Sequence, residues 1–229
     1  MKRTFDLSKV DQLSIFFERG QGTIEHISGN SMKIEYYFTK EEHAKSFVFT
    51  EDVKEGRCIL QLKRANSLKP FQFCNGVYFH IRLPEAYAGK VEIKTITGSI
   101  TAQDLAVPTI SFKTETGSIA IQSLAGQDIS VKTTTGHISL DNLKSEGENS
   151  RSHISSTTGK VTVNHNRLFH VENIKTTTGN IKLAINPDLT DYCIRYKTRK
   201  KISGDNTEIA GNPQNKITVK TTTGNITRV

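Results

Sequence analysis

Apolar and polar residues alternate along most of the chain, in short runs that are interrupted by glycine. Before Gly117, Ile110 and Phe112 alternate with polar residues. After this glycine, Ile119 and Ile121 alternate with polar residues in the same way. A period of two on both sides of a glycine is typical of two half-buried strands that are joined by a turn with positive φ. The pattern therefore predicts a unit of strand, tight turn and strand.

This unit is repeated along the chain, and each copy carries the phrase T-x-T-G or S-x-T-G at its turn. The intervals between successive glycines are 19, 19, 23, 20 and 45 residues. The predicted corner glycines are Gly98, Gly117, Gly136, Gly159, Gly179 and Gly224. The longest interval has room for two units, and IRYKTRKKI at 194–202 supplies a degenerate copy. About seven copies are therefore expected between residues 91 and 229.

The near-identity of the copies favours a parallel β-solenoid over a row of antiparallel hairpins. When one coil stacks on the next, equivalent residues lie about 4.8 Å apart and form ladders. Hairpins would place unlike positions opposite each other and would gain nothing from the identity. Leucine-rich repeats have a similar period, but their signature L-x-x-L-x-L-x-x-N is absent. Because parallel crossovers are right-handed, we predict a right-handed β-solenoid (β-helix) of about seven T-x-T-G rungs.

The threonines of the repeated phrase are predicted to be structural. The first threonine of each phrase has the parity of the apolar residues, so it is expected to point inward and to hydrogen-bond at the corner. These inward threonines are Thr95, Thr114, Thr133, Thr176 and Thr221. The second threonine, directly before the glycine, lies two residues further on and has the same parity, so it is also expected to point inward. This argues against an ice-binding surface, which needs both threonines to face outward.

Residues 1–80 are β-rich but do not repeat. Bulky aromatic residues concentrate there, including Phe16, Phe17, Tyr36, Tyr37, Phe38, Phe47 and Phe49. A solenoid needs its first coil covered, because an open strand edge recruits other strands. We therefore expect residues 1–80 to form opening coils and a partly antiparallel cap, continuous with a solenoid of residues 81–229. The aromatic residues are expected in the core of this cap, with a ligand platform as the alternative.

The repeated string (I/V)-K-T-x-T-G-x-I and the preceding strand FHIRLP at 79–84 resemble the bacterial β-strand-repeat family of putative adhesins, which are domains of unknown function. The resemblance covers about residues 75–229 and lies in the spacing of glycine and threonine. It implies a β-solenoid with a non-enzymatic binding or scaffolding role, and it supplies no catalytic residues. Some members of this family belong to the bacterial envelope, and others are cytoplasmic.

Charge points to an anionic partner, because the net charge is +8 and the pI is about 9.3. Residues 190–229 hold eight Lys or Arg against three acidic residues, which is +5. A lysine with outward parity precedes each inward threonine, and only Ser155 breaks the series. The predicted anion-binding strip comprises Lys94, Lys113, Lys132, Lys175, Lys197 and Lys220, extended by Arg195, Arg199, Lys200 and Lys201.

Neighbouring ammonium groups in such a strip would repel each other by about 1 kcal/mol in water. An anionic polymer or an anionic lipid surface would relieve this repulsion, and a protein partner is a further expectation. The alternative is that lysine is simply the solvated residue at a recurrent outward position, where its stem covers the sheet.

No catalytic or metal-binding constellation stands out in the sequence. Cys58, Cys74 and Cys193 are far apart and no C-x-x-C occurs, so neither zinc nor a disulfide framework is predicted. The acidic residues lie at different offsets from their glycines, so the repeats do not align them for acid–base chemistry. No cofactor motif is present. We predict a non-enzymatic module, with a glycan-active enzyme on a β-helix and a purely structural oligomer as alternatives.

The ends of the chain predict its location and assembly. MKRTFDLSKVDQL lacks the apolar stretch of a secretory signal, and no segment approaches the roughly 18 apolar residues of a membrane span. A cytoplasmic protein is therefore expected, or an envelope-associated one if a leader has been removed. The sequence ends at GNITRV, soon after the last corner, so the final coil is expected to expose an open edge. Two copies are predicted to dimerise through this C-terminal coil.

Overall fold

In the computed structural model, the described residues are 1–65, 76–185, 192–204, 209–210, 212 and 214–229. They form β-strands and one short 3-10 helix (Glu41–Ser46). The predicted all-β class is therefore confirmed. Two large sheets are present, which we call sheet A and sheet B.

Sheet A contains β1 (Lys2–Asp6), β3 (Gln21–Ile27), β4 (Ser31–Phe38), β7 (Val77–Pro84), β9 (Ile100–Ala102), β10 (Leu105–Ala106), β12 (Ile119–Ile121), β13 (Leu124–Gly126), β15 (Ile138–Ser145), β17 (Val161–Arg167), β19 (Ile181–Ile185), β21 (Ile202–Ser203) and β24 (Ile226–Arg228). Sheet B contains β2 (Gln12–Arg19), β5 (Phe47–Lys54), β6 (Arg57–Arg64), β8 (Lys90–Thr97), β11 (Thr109–Thr116), β14 (Asp128–Thr135), β16 (Arg151–Thr158), β18 (Val171–Thr178), β20 (Cys193–Lys197), β22 (Ile209–Ala210) and β23 (Lys216–Thr223).

A strand of sheet B and the strand of sheet A that follows it around a corner form one coil of the structure. Neighbouring coils stack by parallel pairing, so that Thr114 pairs with Thr95 on one side and with Thr133 on the other. Equivalent residues therefore form ladders through the stack, which confirms the prediction of sheets rich in parallel pairs. The hand of the solenoid and its count of T-x-T-G rungs stay predictions.

The hydrophobic core lies between the two sheets, where alternation turns every second side chain inward. One fully buried column in sheet B comprises Ile93, Phe112, Val131, Ile154, Ile174 and Val219. Sheet A contributes a facing column that comprises Ile100, Ile119, Ile138, Val161, Ile181 and Ile226. Burying one such side chain contributes about 1.5–3 kcal/mol, so these columns hold the two sheets together.

The corners are joined by hydrogen bonds that run from one coil to the next. At six corners a hydroxyl donates to the carbonyl oxygen of a corner glycine in the adjacent coil, over 2.7–3.2 Å. The donor and acceptor pairs are Thr114 and Gly98, Thr133 and Gly117, Ser156 and Gly136, Thr176 and Gly159, Thr221 and Gly179, and Thr198 and Gly224. Thr198 belongs to the degenerate copy, so this copy keeps the corner hydroxyl.

The stacked glycines leave no room for a side chain. A Cβ on Gly136 would meet the carbonyl oxygen of Gly117, and a Cβ on Gly117 would meet that of Gly98. The obstacle in each case is backbone, which cannot move aside without breaking the ladder. Close approach, in addition to a φ of +156° at Gly136, is the reason for glycine here.

The two threonines of each phrase differ in exposure. The first threonines are buried as predicted, with 1–5% of their surface accessible. The second threonines are exposed, and they are Thr97, Thr116, Thr135, Thr158, Thr178 and Thr223. The expectation that both face inward was therefore wrong, because the chain turns out of sheet B at this point and parity no longer sets the side-chain direction.

The C-terminal coil of β23 and β24 lies inside the stack. Strand β23 pairs with β18 on one side and with β20 on the other. Strand β24 likewise pairs with both β19 and β21. The expectation that this coil exposes an open edge was therefore wrong, whereas dimerisation through it stays a prediction. The strand at this end of sheet B is β22, which pairs antiparallel with β20.

The N-terminal part also departs from sequence order. The coil of β2 and β3, which turns at Gly20, lies between the coil of β8 and β9 and the strands β6 and β7. Antiparallel strands then cover this end, with β5 on β6, β4 on β7 and β1 on β4. The division of the chain at residue 80 stays a prediction, and β7 runs across it.

Within the described residues, no helix has the length and apolar character needed to cross a membrane.

Candidate anion-binding site

The lysines of the predicted strip occupy one register position on the outer face of sheet B. In spatial order this ladder is Lys94, Lys113, Lys132, Ser155, Lys175, Lys220 and Lys197. Adjacent strands of a sheet are about 4.8 Å apart. The ladder therefore forms a line along the stacking direction, with one interruption at Ser155.

Five of the six lysines are exposed, namely Lys113, Lys132, Lys175, Lys197 and Lys220. Within the described part of the chain, no carboxylate oxygen lies within 4.0 Å of their ammonium groups. Lys94 differs, because its Nζ lies 2.8 Å from Oε1 of Glu92. Its charge is thus already compensated, so the lysines without a carboxylate partner in the described ranges begin at Lys113.

Positive charge is concentrated where β16, β18, β23 and β20 lie side by side. The outward charged residues of these strands are Arg151, Lys175, Lys216, Lys220, Arg195 and Lys197, all of them exposed. The single acidic residue in the four strands is Glu172, which is buried in the core. This concentration results from the insertion of β23 between β18 and β20. Sequence reasoning therefore missed Arg151 and Lys216, although their outward parity was visible.

The remaining basic residues of the prediction lie at the corner that follows β20. Arg199, Lys200 and Lys201 are all exposed. The backbone N–H of Lys200 donates to Oγ1 of Thr198 over 3.0 Å, which shapes this corner. The three side chains therefore lie beyond the C-terminal end of β20. Arg195 lies within β20, beside the lysine ladder and opposite Thr218.

The pKa of a histidine in the middle of the strip is affected by the neighbouring lysines. His153 is half-buried on the outer face of sheet B, two residues before Ser155. Its pKa is lowered by burial and by the charges of Lys132 and Lys175. Two lysines on opposite sides of the Ser155 gap thus both act on this imidazole.

The described residues offer no other obvious chemistry. They contain no group of three or more His, Cys, Asp or Glu side chains placed to hold a metal ion. Cys58 is buried, and burial raises the pKa of its thiol to about 11, so it is protonated at neutral pH. Cys193 is a half-buried free thiol, and Cys74 lies outside the described residues.

Comparison with known proteins places the chain in a class and then in a family. The class is an all-β protein whose parallel strands stack in a solenoid-like arrangement. The family model described as Toastrack DUF4097 matches residues 10–195, and the chain belongs to this family. The resemblance inferred from the glycine and threonine spacing is thereby confirmed. A search of curated proteins finds no match.

Three solved structures share this fold over the whole chain. They are a putative adhesin from Bacteroides fragilis NCTC 9343 (13% identity, TM-score 0.58), a putative cell adhesion protein from Clostridium sporogenes ATCC 15579 (12%, 0.52) and a putative adhesin from Parabacteroides distasonis ATCC 8503 (10%, 0.50). The alignments cover 100% of this chain and 96%, 97% and 96% of those chains, respectively. At such low identity the likeness shows the fold alone.

Proposed function

We propose that this protein is a non-enzymatic, adhesin-like binding module that holds a linear anionic polymer along sheet B. The observation that carries the proposal is the ladder of exposed lysines that have no carboxylate partner among the described residues. A scaffold that places like charges on neighbouring strands keeps them close at an electrostatic cost. The negative charges of a polyanion lying along the ladder would attract the ammonium groups and offset their mutual repulsion. Binding would also release counterions from the polymer.

The arrangement of the charge favours a chain over a flat surface. The lysines form a single line along the stacking direction, and an extended polymer can contact them all in succession. The β-ladder also fixes the spacing of the lysine backbones, so binding orders only the side chains. The relatives described as adhesins agree with a binding role, although their descriptions name no ligand.

The test uses inorganic polyphosphate as the probe, with binding measured over a salt series. The strip variant carries Lys132→Gln, Lys175→Gln and Lys220→Gln. The control variant carries Lys9→Gln, Lys144→Gln and Lys182→Gln, which removes the same charge at exposed positions off the ladder. We expect the strip variant to bind at least about tenfold more weakly near physiological salt. The slope of log affinity against log salt should also fall by about 2–3, at roughly 0.7–0.9 per contact by analogy with nucleic acids.

Three results would count against the proposal. Equal losses in the two variants would show that only net charge matters. Unchanged binding in the strip variant would make the ladder an ordinary solvated face. Binding to anionic phosphatidylserine vesicles but not to polyphosphate would replace the polymer with a lipid surface.

A further inference from the structure

A second surface lies on the outer face of sheet A at the capped end, and we propose that it binds a neutral pyranose sugar. Tyr37 in β4 and Tyr78 in β7 are cross-strand partners. Their rings stack with centroids 5.0 Å apart and planes at 11°. Tyr37 is 57% exposed, so this pair lies outside the hydrophobic core. The sequence-based expectation of a core position is therefore wrong for Tyr37, and also for Phe16, which is half-buried outside the core with Nζ of Lys63 5.7 Å from its ring centroid.

The stacked rings of Tyr37 and Tyr78 line a cavity next to β3. Because Tyr37 covers the face on the β4 side, the opposite face is directed toward β3, where Gln21 is the register partner of Tyr78. A shallow cavity of about 200 Å³ lies here, lined by Gln21, Thr23, Tyr37, Tyr78, Phe79 and His80. Pockets for drug-sized ligands span about 300–1,000 Å³, so this cavity suits a single ring.

The cavity combines an aromatic wall with groups that can hydrogen-bond to hydroxyls. The Gln21 amide and the Thr23 hydroxyl can each donate or accept. The face of an aromatic ring carries partial negative charge, and the C–H bonds on the flat face of a pyranose carry partial positive charge. A sugar stacked on Tyr78 would therefore present its equatorial hydroxyls toward these polar side chains.

The polar part of this surface is held in place by ion pairs. Oε1 of Glu25 lies 2.7 Å from Nε2 of His80 and 3.0 Å from Nε of Arg82. Arg82 in turn contacts Glu35, with 3.1 Å between Nη1 and Oε1. The Nη2 atom of Arg82 and Nδ1 of His80 are also 3.1 Å apart. Both ring nitrogens of His80 are engaged in this way, so this side chain forms a fixed edge of the cavity.

The charge around the cavity favours a neutral ligand. The carboxylates of Glu25 and Glu35 are balanced by Arg82 and by Lys2, whose Nζ lies 3.3 Å from Glu35. An anion would find no excess positive charge here, in contrast to the lysine ladder on sheet B. The two surfaces would therefore take ligands of different chemistry.

The test measures binding of cellotriose, triacetylchitotriose and maltotriose to the full chain, by calorimetry and by saturation-transfer NMR. We expect at least one of them to bind with a Kd of about 1 mM or tighter. Chemical shifts should change at Tyr78 and Gln21. Tyr78→Ala should weaken binding at least about tenfold, whereas Tyr78→Phe keeps the ring and should stay within about threefold. The variant with Lys132→Gln, Lys175→Gln and Lys220→Gln should bind sugar like the wild type.

Several outcomes would overturn this inference. One is the absence of binding by all three sugars at about 20 mM, well above the expected Kd. Others are shift changes that map away from Tyr78, or equal binding by a folded Tyr78→Ala variant. If Tyr78→Ala does not fold, Gln21→Ala with Thr23→Ala leaves the stacked rings in place and should still weaken binding; an unchanged affinity would contradict the site.

Discussion

The imidazole Nε2 of His165 lies 2.8 Å from Oε2 of Glu172, and both side chains are completely buried. In the adjacent coils the equivalent positions hold Leu143 and Ile185 beside His165, and Ile217 and Ser152 beside Glu172. One polar pair thus replaces apolar contacts inside the core. The two atoms are close but poorly aligned, since neither meets hydrogen-bond geometry with any partner in the described part of the chain. The contact is therefore one of proximity, and its contribution to stability can be measured.

Removing one member of this pair should be more harmful than removing both. His165→Leu leaves the Glu172 carboxyl buried without its neighbour, and we expect it to lower the free energy of unfolding by about 3–5 kcal/mol. His165→Leu with Glu172→Ile restores the residue types of the adjacent coils, and it should be neutral or more stable by up to about 4 kcal/mol. Urea unfolding measures both values. A double variant as unstable as the single one would refute this account.

The corner glycines should tolerate no side chain. Gly136→Ala would press a Cβ against the carbonyl of Gly117, whereas Gly29 also has positive φ (+110°) but has no atom within 4 Å of an added Cβ. Gly29→Ala should therefore cost about 1–2 kcal/mol for its backbone conformation alone. Gly136→Ala should cost clearly more, and its thermal midpoint should fall further. Equal shifts in the two midpoints would show that conformation, and not close approach, selects glycine at the corner.

The corner hydroxyls should stabilise the stack one hydrogen bond at a time. Thr133 donates from Oγ1 to the carbonyl of Gly117 over 2.9 Å, so Thr133→Val should lower the free energy of unfolding by about 1–3 kcal/mol, because it leaves a buried acceptor without its donor. Thr95 is the matched control, since its buried Oγ1 has no hydrogen-bond partner among the described residues. Thr95→Val should be neutral or stabilising. Denaturant unfolding that shows equal costs would contradict a role for the hydrogen bond.

The pKa of His153 should depend on the lysine strip. It is lowered from the ordinary value of 6.5 by burial, by Lys132 and by Lys175. Lys175→Gln should therefore raise the pKa of His153, which a proton NMR titration of its ring measures. The control Lys182→Gln lies on sheet A and should leave that pKa unchanged.

The same shift has a consequence for stability. Because the folded pKa of His153 is below the unfolded one, the unfolded chain binds more protons in the window between the two values. This histidine should therefore destabilise the fold as the pH falls through 6.5, and its full cost should be present below the folded pKa. His153→Asn should reduce the loss of stability between pH 7 and pH 5. An unchanged pH dependence in this variant would show that other groups dominate.

Much of the architecture could be predicted from local pattern. Alternation indicated that Phe112 faces inward and Lys113 outward, because successive side chains of an extended strand point to opposite faces. The recurrence in most copies of the threonine and glycine represented by Thr133 and Gly136 indicated parallel stacking, because only that arrangement pairs a residue with its own equivalent. Parity failed at Thr135, where the backbone leaves the sheet.

Only part of the candidate site was predicted from the sequence. Its outward lysines were predicted, but the pairing of Lys94 with Glu92 was not, since it depends on side-chain conformation. The neighbours of Lys220 were also missed, because β23 follows β20 in the chain yet lies between β20 and β18 in the sheet.

The sequence by itself determined which residues face the core, since alternation is a property of any extended backbone. The tertiary structure alone decided which strands are neighbours. Each coil offers nearly the same hydrogen-bonding edge, so local pattern does not distinguish the order β18, β23, β20 from the order of the chain. The basic face of β16, β18, β23 and β20 is a consequence of the strand order in the sheet.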